Sequence, residues 1–212
     1  MTTTTKSPTS ATPSTINTSK GFPTIPTRIR DTRSTEVPPL VVEPMAEQDK
    51  AAICQSLSEL GIKLAEIHRT GAEAYLSQGL YEQALPHLQA AATFSPSETE
   101  YVMQLAFVQY VVGNDAAAIE TYKQVLASDK RNGEAWFNLG MVLFGQQQLP
   151  EAESCFANAC EIDGRDAQTW NNRGVCLWQL QRIDEAKTCF QNALQLDPSD
   201  TDAQFNLQAL MS

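Results

Sequence analysis

A 34-residue pattern occurs four times, end to end and without insertion, from Ala65 to Asp200. A period of this length confines a chain to one kind of architecture, in which each copy is a supersecondary unit that packs on its neighbours in a stack. Aligning Gly140 with Gly174, Ala106 and Ala72 sets the copies at 65–98, 99–132, 133–166 and 167–200. Column 4 then holds His68, Val102, Trp136 and Trp170, and column 20 is alanine throughout, at Ala84, Ala118, Ala152 and Ala186. Column 24 holds Leu88, Tyr122, Phe156 and Phe190, column 27 holds Ala91, Val125, Ala159 and Ala193, and Pro96 and Pro198 share column 32.

Each copy carries two apolar stripes at helical spacing, separated by a short polar link, so each is predicted to be a helical hairpin. In the third copy Trp136, Leu139, Gly140 and Leu143 mark the first helix, and Ala152, Phe156 and Ala159 the second. Gly140 and Ala152 leave no bulk where the paired helices cross, and rings of the neighbouring hairpin are expected to fill the remaining space. The column 32 prolines end the second helices, because proline lacks the amide hydrogen and clashes with a continuing turn. No single hairpin buries its own stripes, so stability must come from stacking.

These columns resemble the tetratricopeptide repeat (TPR), and the fold class that follows is an all-α TPR solenoid. The resemblance implies a concave groove lined by columns 2, 5, 9 and 12 of the first helices. Those columns hold Glu100, Met103, Phe107 and Tyr110 in the second copy and Glu134, Phe137, Met141 and Phe144 in the third. The fourth copy supplies Gln168, Asn171, Val175 and Trp178, while the first supplies Glu66, Arg69, Glu73 and Leu76. The middle of the groove is thus apolar and one end is charged. With the core columns already filled, a second apolar face reads as a binding surface. Column 6 runs Thr70, Gln104, Asn138, Asn172 and Asn206. In some TPR proteins carboxamides here hold a peptide backbone, since an amide both donates and accepts.

Two kinds of TPR groove can be compared with these residues. Co-chaperone domains that grip a C-terminal carboxylate use a Lys/Asn/Arg clamp, whereas this groove presents Glu66, Glu100 and Glu134 with Arg69 as its one base. Translocator chaperones of type III secretion systems, small acidic cytoplasmic TPR proteins with a leading helix, hold an apolar client segment. The stretch from Gln146 to Glu153 resembles the Pro-Glu-Ala turn of their last repeat. Those chaperones carry three repeats where this chain has four, and lack a Thr/Ser/Pro tail.

Residues 1–45 hold seven of the eleven prolines and 17 serines and threonines, and are expected to be disordered. Their charge is about +2, against about −12 for residues 46–212, which carry 10 basic and 22 acidic residues. An acidic body argues against a nucleic-acid partner. No apolar run approaches the roughly 20 residues of a membrane span and no secretory signal is apparent, so a cytoplasmic location is expected. Residues 46–64 read as a leading helix covering the end of the first repeat, with Ile53, Leu57, Leu60 and Leu64 at three- and four-residue spacings, and residues 201–212 as a capping helix. The folded unit is long enough for one continuous core.

Cys54, Cys155, Cys160, Cys176 and Cys189 form no CxxC pair, and His68 and His87 lie far along the array from most of them. They read as small buried side chains, and neither a metal site, a cofactor nor a catalytic residue is expected. The reading from sequence is a non-enzymatic adaptor or chaperone for a hydrophobic or amphipathic segment of another protein. A structural subunit of a larger assembly is the alternative, and a homodimer is left open.

Overall fold

The computed structural model describes residues 46–211, so the tail expected over 1–45 lies outside the described residues. Among those described, the chain forms nine helices: α1 Glu47–Leu76, α2 Tyr81–Phe94, α3 Thr99–Val111, α4 Asp115–Ser128, α5 Gly133–Gly145, α6 Leu149–Ile162, α7 Ala167–Gln179, α8 Ile183–Leu196 and α9 Thr201–Met211. Each packs against the next, and α3 also meets α5 and α7 meets α9. The period survives to the residue, since α3, α5, α7 and α9 all begin in column 1 and α2, α4, α6 and α8 in column 17.

Local chemistry repeats with it. In column 34, Asn132, Asp166 and Asp200 accept backbone N–H bonds at the starts of α5, α7 and α9, satisfying donors that have no partner within the helix. In column 31, Asp129, Asp163 and Asp197 accept from the amide two residues on and fold the link between repeats. The turn inside each hairpin needs a left-handed residue in column 15. Gly79 and Gly113 supply it without cost, whereas Gln147 and Gln181 adopt φ near +60° despite a side chain. Pro150 sits in the first turn of α6, where its missing N–H leaves nothing unpaired. The column 4 indoles of Trp136 and Trp170 donate to the carbonyls of Lys130 and Gly164 in the preceding link, both at 3.0 Å. A column that reads as apolar stripe is therefore also a polar tie between repeats.

The buried residues fall into three clusters, where one continuous core is expected from length. The first holds Ala72, Leu88, Leu105 and Val108, the second is centred on Tyr122, Leu139 and Phe156, and the third holds Leu177, Ala186, Cys189 and Phe190. A stack in which helices touch only near neighbours has no common centre to fill. The role of the small column 8 residue also differs from expectation. A Cβ on Gly140 would lie 2.8 Å from the ring of Phe156, and one on Gly174 2.6 Å from that of Phe190. The missing side chain therefore makes room for the ring of the same hairpin, not of its neighbour.

Residues 46–64 do not form a separate helix over the first repeat. They run without a break into its first helix, because no proline or polar link interrupts them, and residues 47–60 are exposed throughout.

Ion pairs tie the last repeats together. Glu153 on α6, largely buried, accepts from Arg173 Nε on α7 at 2.9 Å and meets Arg182 at 3.5 Å, and Arg182 in turn pairs with Glu185 at 2.6 Å. Three elements thus share one network, and Arg173 also lies over the ring of Trp170.

Candidate protein-binding cleft

Because α3 and α5 are first helices of successive repeats, their columns 2, 6 and 9 meet in a cleft of about 580 Å³. It is lined by Thr99, Glu100, Met103, Gln104, Phe107, Asn132, Glu134 and Asn138. The floor is apolar, with Met103 half-buried and Phe107 47% exposed. The walls carry two carboxylates, Glu100 and Glu134, and no base. Gln104 donates from Nε2 to Glu100 at 3.3 Å, while its Oε1 is buried and meets no hydrogen-bond donor among the described residues. A buried acceptor left in that state costs roughly 1–3 kcal/mol, which a donor entering the cleft would recover.

The other residues expected to line a groove divide sharply. Met103, Tyr110, Phe137, Met141 and Phe144 pack against the central cluster and Val175 and Trp178 against the third, so these side chains help to join helices. The ring of Phe137 lies 5.8 Å from that of Phe156, and Trp178 meets Phe190 edge-on at 6.5 Å. Large side chains in columns 5, 9 and 12 reach back beside the core columns of a helix with 3.6 residues per turn, leaving Phe107 as the groove aromatic that stands exposed. A second, smaller cleft of about 60 Å³ lies between α5 and α7, lined by Met141, Phe144, Phe156, Asn172 and Val175.

The carboxamides divide too. Asn138 lines the large cleft, and Asn172 donates to the sulfur of Met141 at 3.4 Å. Asn171 is buried and accepts from Asn206 on α9 at 3.0 Å, so it fastens α9 to α7 and does not face a ligand. Glu100, Glu134 and Gln104 complete the cleft. They stand in the groove columns already, but a ranking by apolarity passes them over.

At the first repeat the charged end is closed on itself. Arg69 donates to Glu66 at 3.0 and 2.5 Å and also binds Glu73, and Tyr101 reaches Glu66 at 3.4 Å. The hydrogen bond from Arg69 holds the Glu66 carboxyl below its usual range, and the same bond raises the guanidinium. The single base of the groove columns is thus already engaged.

Burial pushes the thiols of Cys155 and Cys189 up to about 11 and those of Cys160 and Cys176 up to about 12. The thiolate is the reactive form, so at neutral pH these four are poor nucleophiles, whereas Cys54 is exposed. Brief treatment of the native protein with iodoacetamide at pH 7 is expected to label Cys54 alone, with the others reacting about 100-fold more slowly until denaturant is added. Mass spectrometry of the digested protein reads this directly, and rapid native labelling of Cys155 or Cys189 would contradict the packing. Among the described residues no group of three or more His, Cys, Asp or Glu side chains could hold a metal ion, and no helix is long and apolar enough to cross a membrane.

Comparison with known proteins agrees with this architecture. Tetratricopeptide-repeat profiles match residues 167–200 and 108–167, and a bacterial transcriptional activator domain profile matches residues 43–131. BBSome complex member BBS4 of Bos taurus is 28% identical over 112 residues, which cover 52% of this chain and 22% of that protein. The match therefore spans about a fifth of that relative's length. Among solved structures, MamA from Desulfovibrio magneticus RS-1 superposes with a TM-score of 0.66 at 20% identity, covering 69% of this chain and 83% of that one. PilF of Pseudomonas aeruginosa gives 0.62 at 25% identity, covering 70% and 68%. The first TPR of Spaghetti (RPAP3), bound to the HSP90 peptide SRMEEVD, gives 0.52 at 21% identity, covering 54% and 91%.

Proposed function

We propose that this chain, a member of the tetratricopeptide-repeat superfamily, is a non-enzymatic adaptor or chaperone that holds a hydrophobic or amphipathic segment of another protein between α3 and α5. The observation that carries this is the cleft itself, where an exposed Phe107 lies beside a buried, unpartnered Gln104 carbonyl. An apolar side chain of the partner covers the ring, and a backbone N–H meets the carbonyl. Glu100 and Glu134 favour a partner with basic or N–H donors over an acidic one. A peptide such as SRMEEVD, with three carboxylate side chains, would be repelled here, and Arg69 is already paired. The excess of acidic residues over residues 46–212 argues likewise against nucleic acid.

The narrower reading, a cytoplasmic chaperone for a type III secretion translocator, rests on the Pro-Glu-Ala sequence at 150–152, which opens α6, and on the apolar cleft floor. The similarity to a BBSome complex member favours a second reading, a structural subunit of a multiprotein assembly.

Phe107 separates these readings better than Phe144 or Trp178, which also support the fold. Affinity purification of the full chain identifies the partner, whose bound segment is then titrated by calorimetry against the parent and Phe107→Ala. A central anchor is expected to lose about 2 kcal/mol, or roughly 30-fold in Kd, with circular dichroism unchanged. Affinity should fall less than about tenfold between low and high salt, since apolar contact is little screened. A partner bound equally by Phe107→Glu would move the interface away from this cleft and favour the assembly subunit.

A further inference from the structure

The two histidines of this chain meet each other. His68 on α1 and His87 on α2, both half-buried, bring their Nδ1 atoms to 3.2 Å.

Three departures from the repeat pattern converge on this contact. In the other copies column 4 holds Val102, Trp136 and Trp170, column 7 holds Leu105, Leu139 and Arg173, and column 23 holds Thr121, Cys155 and Cys189. The first copy replaces them with His68, Gly71 and His87. A Cβ on Gly71 would stand 2.7 Å from His87 Nδ1 and 3.0 Å from its Cε1, so the missing side chain is what lets that ring lie across α1. A further ring flanks each imidazole. Phe94 stacks on His68 with centroids 6.0 Å apart, and Tyr75 lies 5.6 Å from His87. The pair is therefore oriented by its surroundings before anything binds to it.

A neutral imidazole carries its proton on one of two nitrogens, so the contact is a hydrogen bond only when just one of the facing Nδ1 atoms is protonated. With both protons on Nε2, two lone pairs face each other, and a cation between them removes the repulsion. We propose that His68 and His87 together ligate a divalent transition-metal ion through Nδ1 of each ring. Imidazole suits zinc, copper and nickel. Two Zn–N bonds of about 2.0–2.1 Å in tetrahedral geometry place their nitrogens roughly 3.3–3.4 Å apart, close to the 3.2 Å already present, so a modest turn of the rings completes the bite. Among the described residues no third ligand joins the pair, so water takes the remaining positions and the site is open and reversible. Each helix supplies one ligand, and the bound ion fastens α1 to α2. The site lies in the first repeat and shares no residue with the α3/α5 cleft.

Calorimetric titration of the full chain with zinc chloride tests this, on protein without a histidine tag and in a Cys54→Ser background so that the exposed thiol does not compete. One ion per chain is expected. His68→Gln and His87→Gln should each weaken binding at least about tenfold, because even disturbing a ligand's outer partner costs that much, and the helical signal should be retained. Gly71→Ala keeps both histidines but displaces the His87 ring, and should weaken binding about tenfold as well. A parent that takes up no zinc, a His68→Gln/His87→Gln protein that binds it as tightly as the parent, or a Gly71→Ala protein that does so, overturns the proposal.

Discussion

Phe156→Ala is expected to lower the stability of the protein by about 3–5 kcal/mol, the usual cost of removing a buried aromatic ring. Phe156 is 1% exposed, fits over the bare backbone of Gly140 and meets the ring of Phe137. It lies in the central cluster, which joins the helices from α3 to α7, so the cavity falls where the second and third repeats share their packing. Against a total of roughly 5–15 kcal/mol this is a large fraction. Urea titration followed by circular dichroism measures it, and a loss below about 1 kcal/mol would show that the ring is not held as described. The equivalent Phe190→Ala should act in the same direction, since Phe190 is fully buried over Gly174.

Gly140→Leu approaches the same contact from the other side. Replacing glycine within a helix gains up to about 1 kcal/mol of propensity, so the steric cost must exceed that to be seen. A Cβ alone would stand 2.8 Å from a ring that has little room to move, and the three further carbons of leucine overfill the site. Overpacking of this kind costs about 1–3 kcal/mol and occasionally more, and a net loss near the upper end is expected. At roughly 2–4 °C per kcal/mol for a domain of this size, thermal melting should show it plainly. Gly145→Ala is the control, because nothing lies within 4 Å of its added Cβ, and it should be neutral or slightly stabilising. The double variant Gly140→Leu/Phe156→Ala should be less damaged than the sum of the two, with a coupling of about 1–2 kcal/mol, because the leucine enters the space the ring vacates.

The repeat frame was legible because it is local. Column 20 admits only alanine in this chain, and all four copies of it are buried, as are the column 24 side chains from Leu88 to Phe190. The links were legible for the same reason, since an N-cap carboxylate or carboxamide acts on amides two or three residues away. The cleft was legible only in part. Columns 2, 5, 6 and 9 already contained Glu100, Met103, Gln104, Phe107, Glu134 and Asn138, but the same columns also contained Phe137 and Asn171. Nothing in their spacing reveals that Phe137 lies against Phe156 or that Asn171 is taken by Asn206.

Periodicity by itself determined the helical hairpins, their order and the residues that fill their cores, because a 34-residue repeat writes the same local geometry four times. Tertiary structure alone decided which side chains remain available to a partner. Availability depends on what the neighbouring repeat places over each position, and that differs between copies with the same column pattern. Phe107 stands open while Phe137 and Trp178 are drawn into the packing, and the outer face of α1 is bare because no described helix precedes it. The core follows from intervals along the chain, whereas the interaction surface is what remains after every neighbour has been packed.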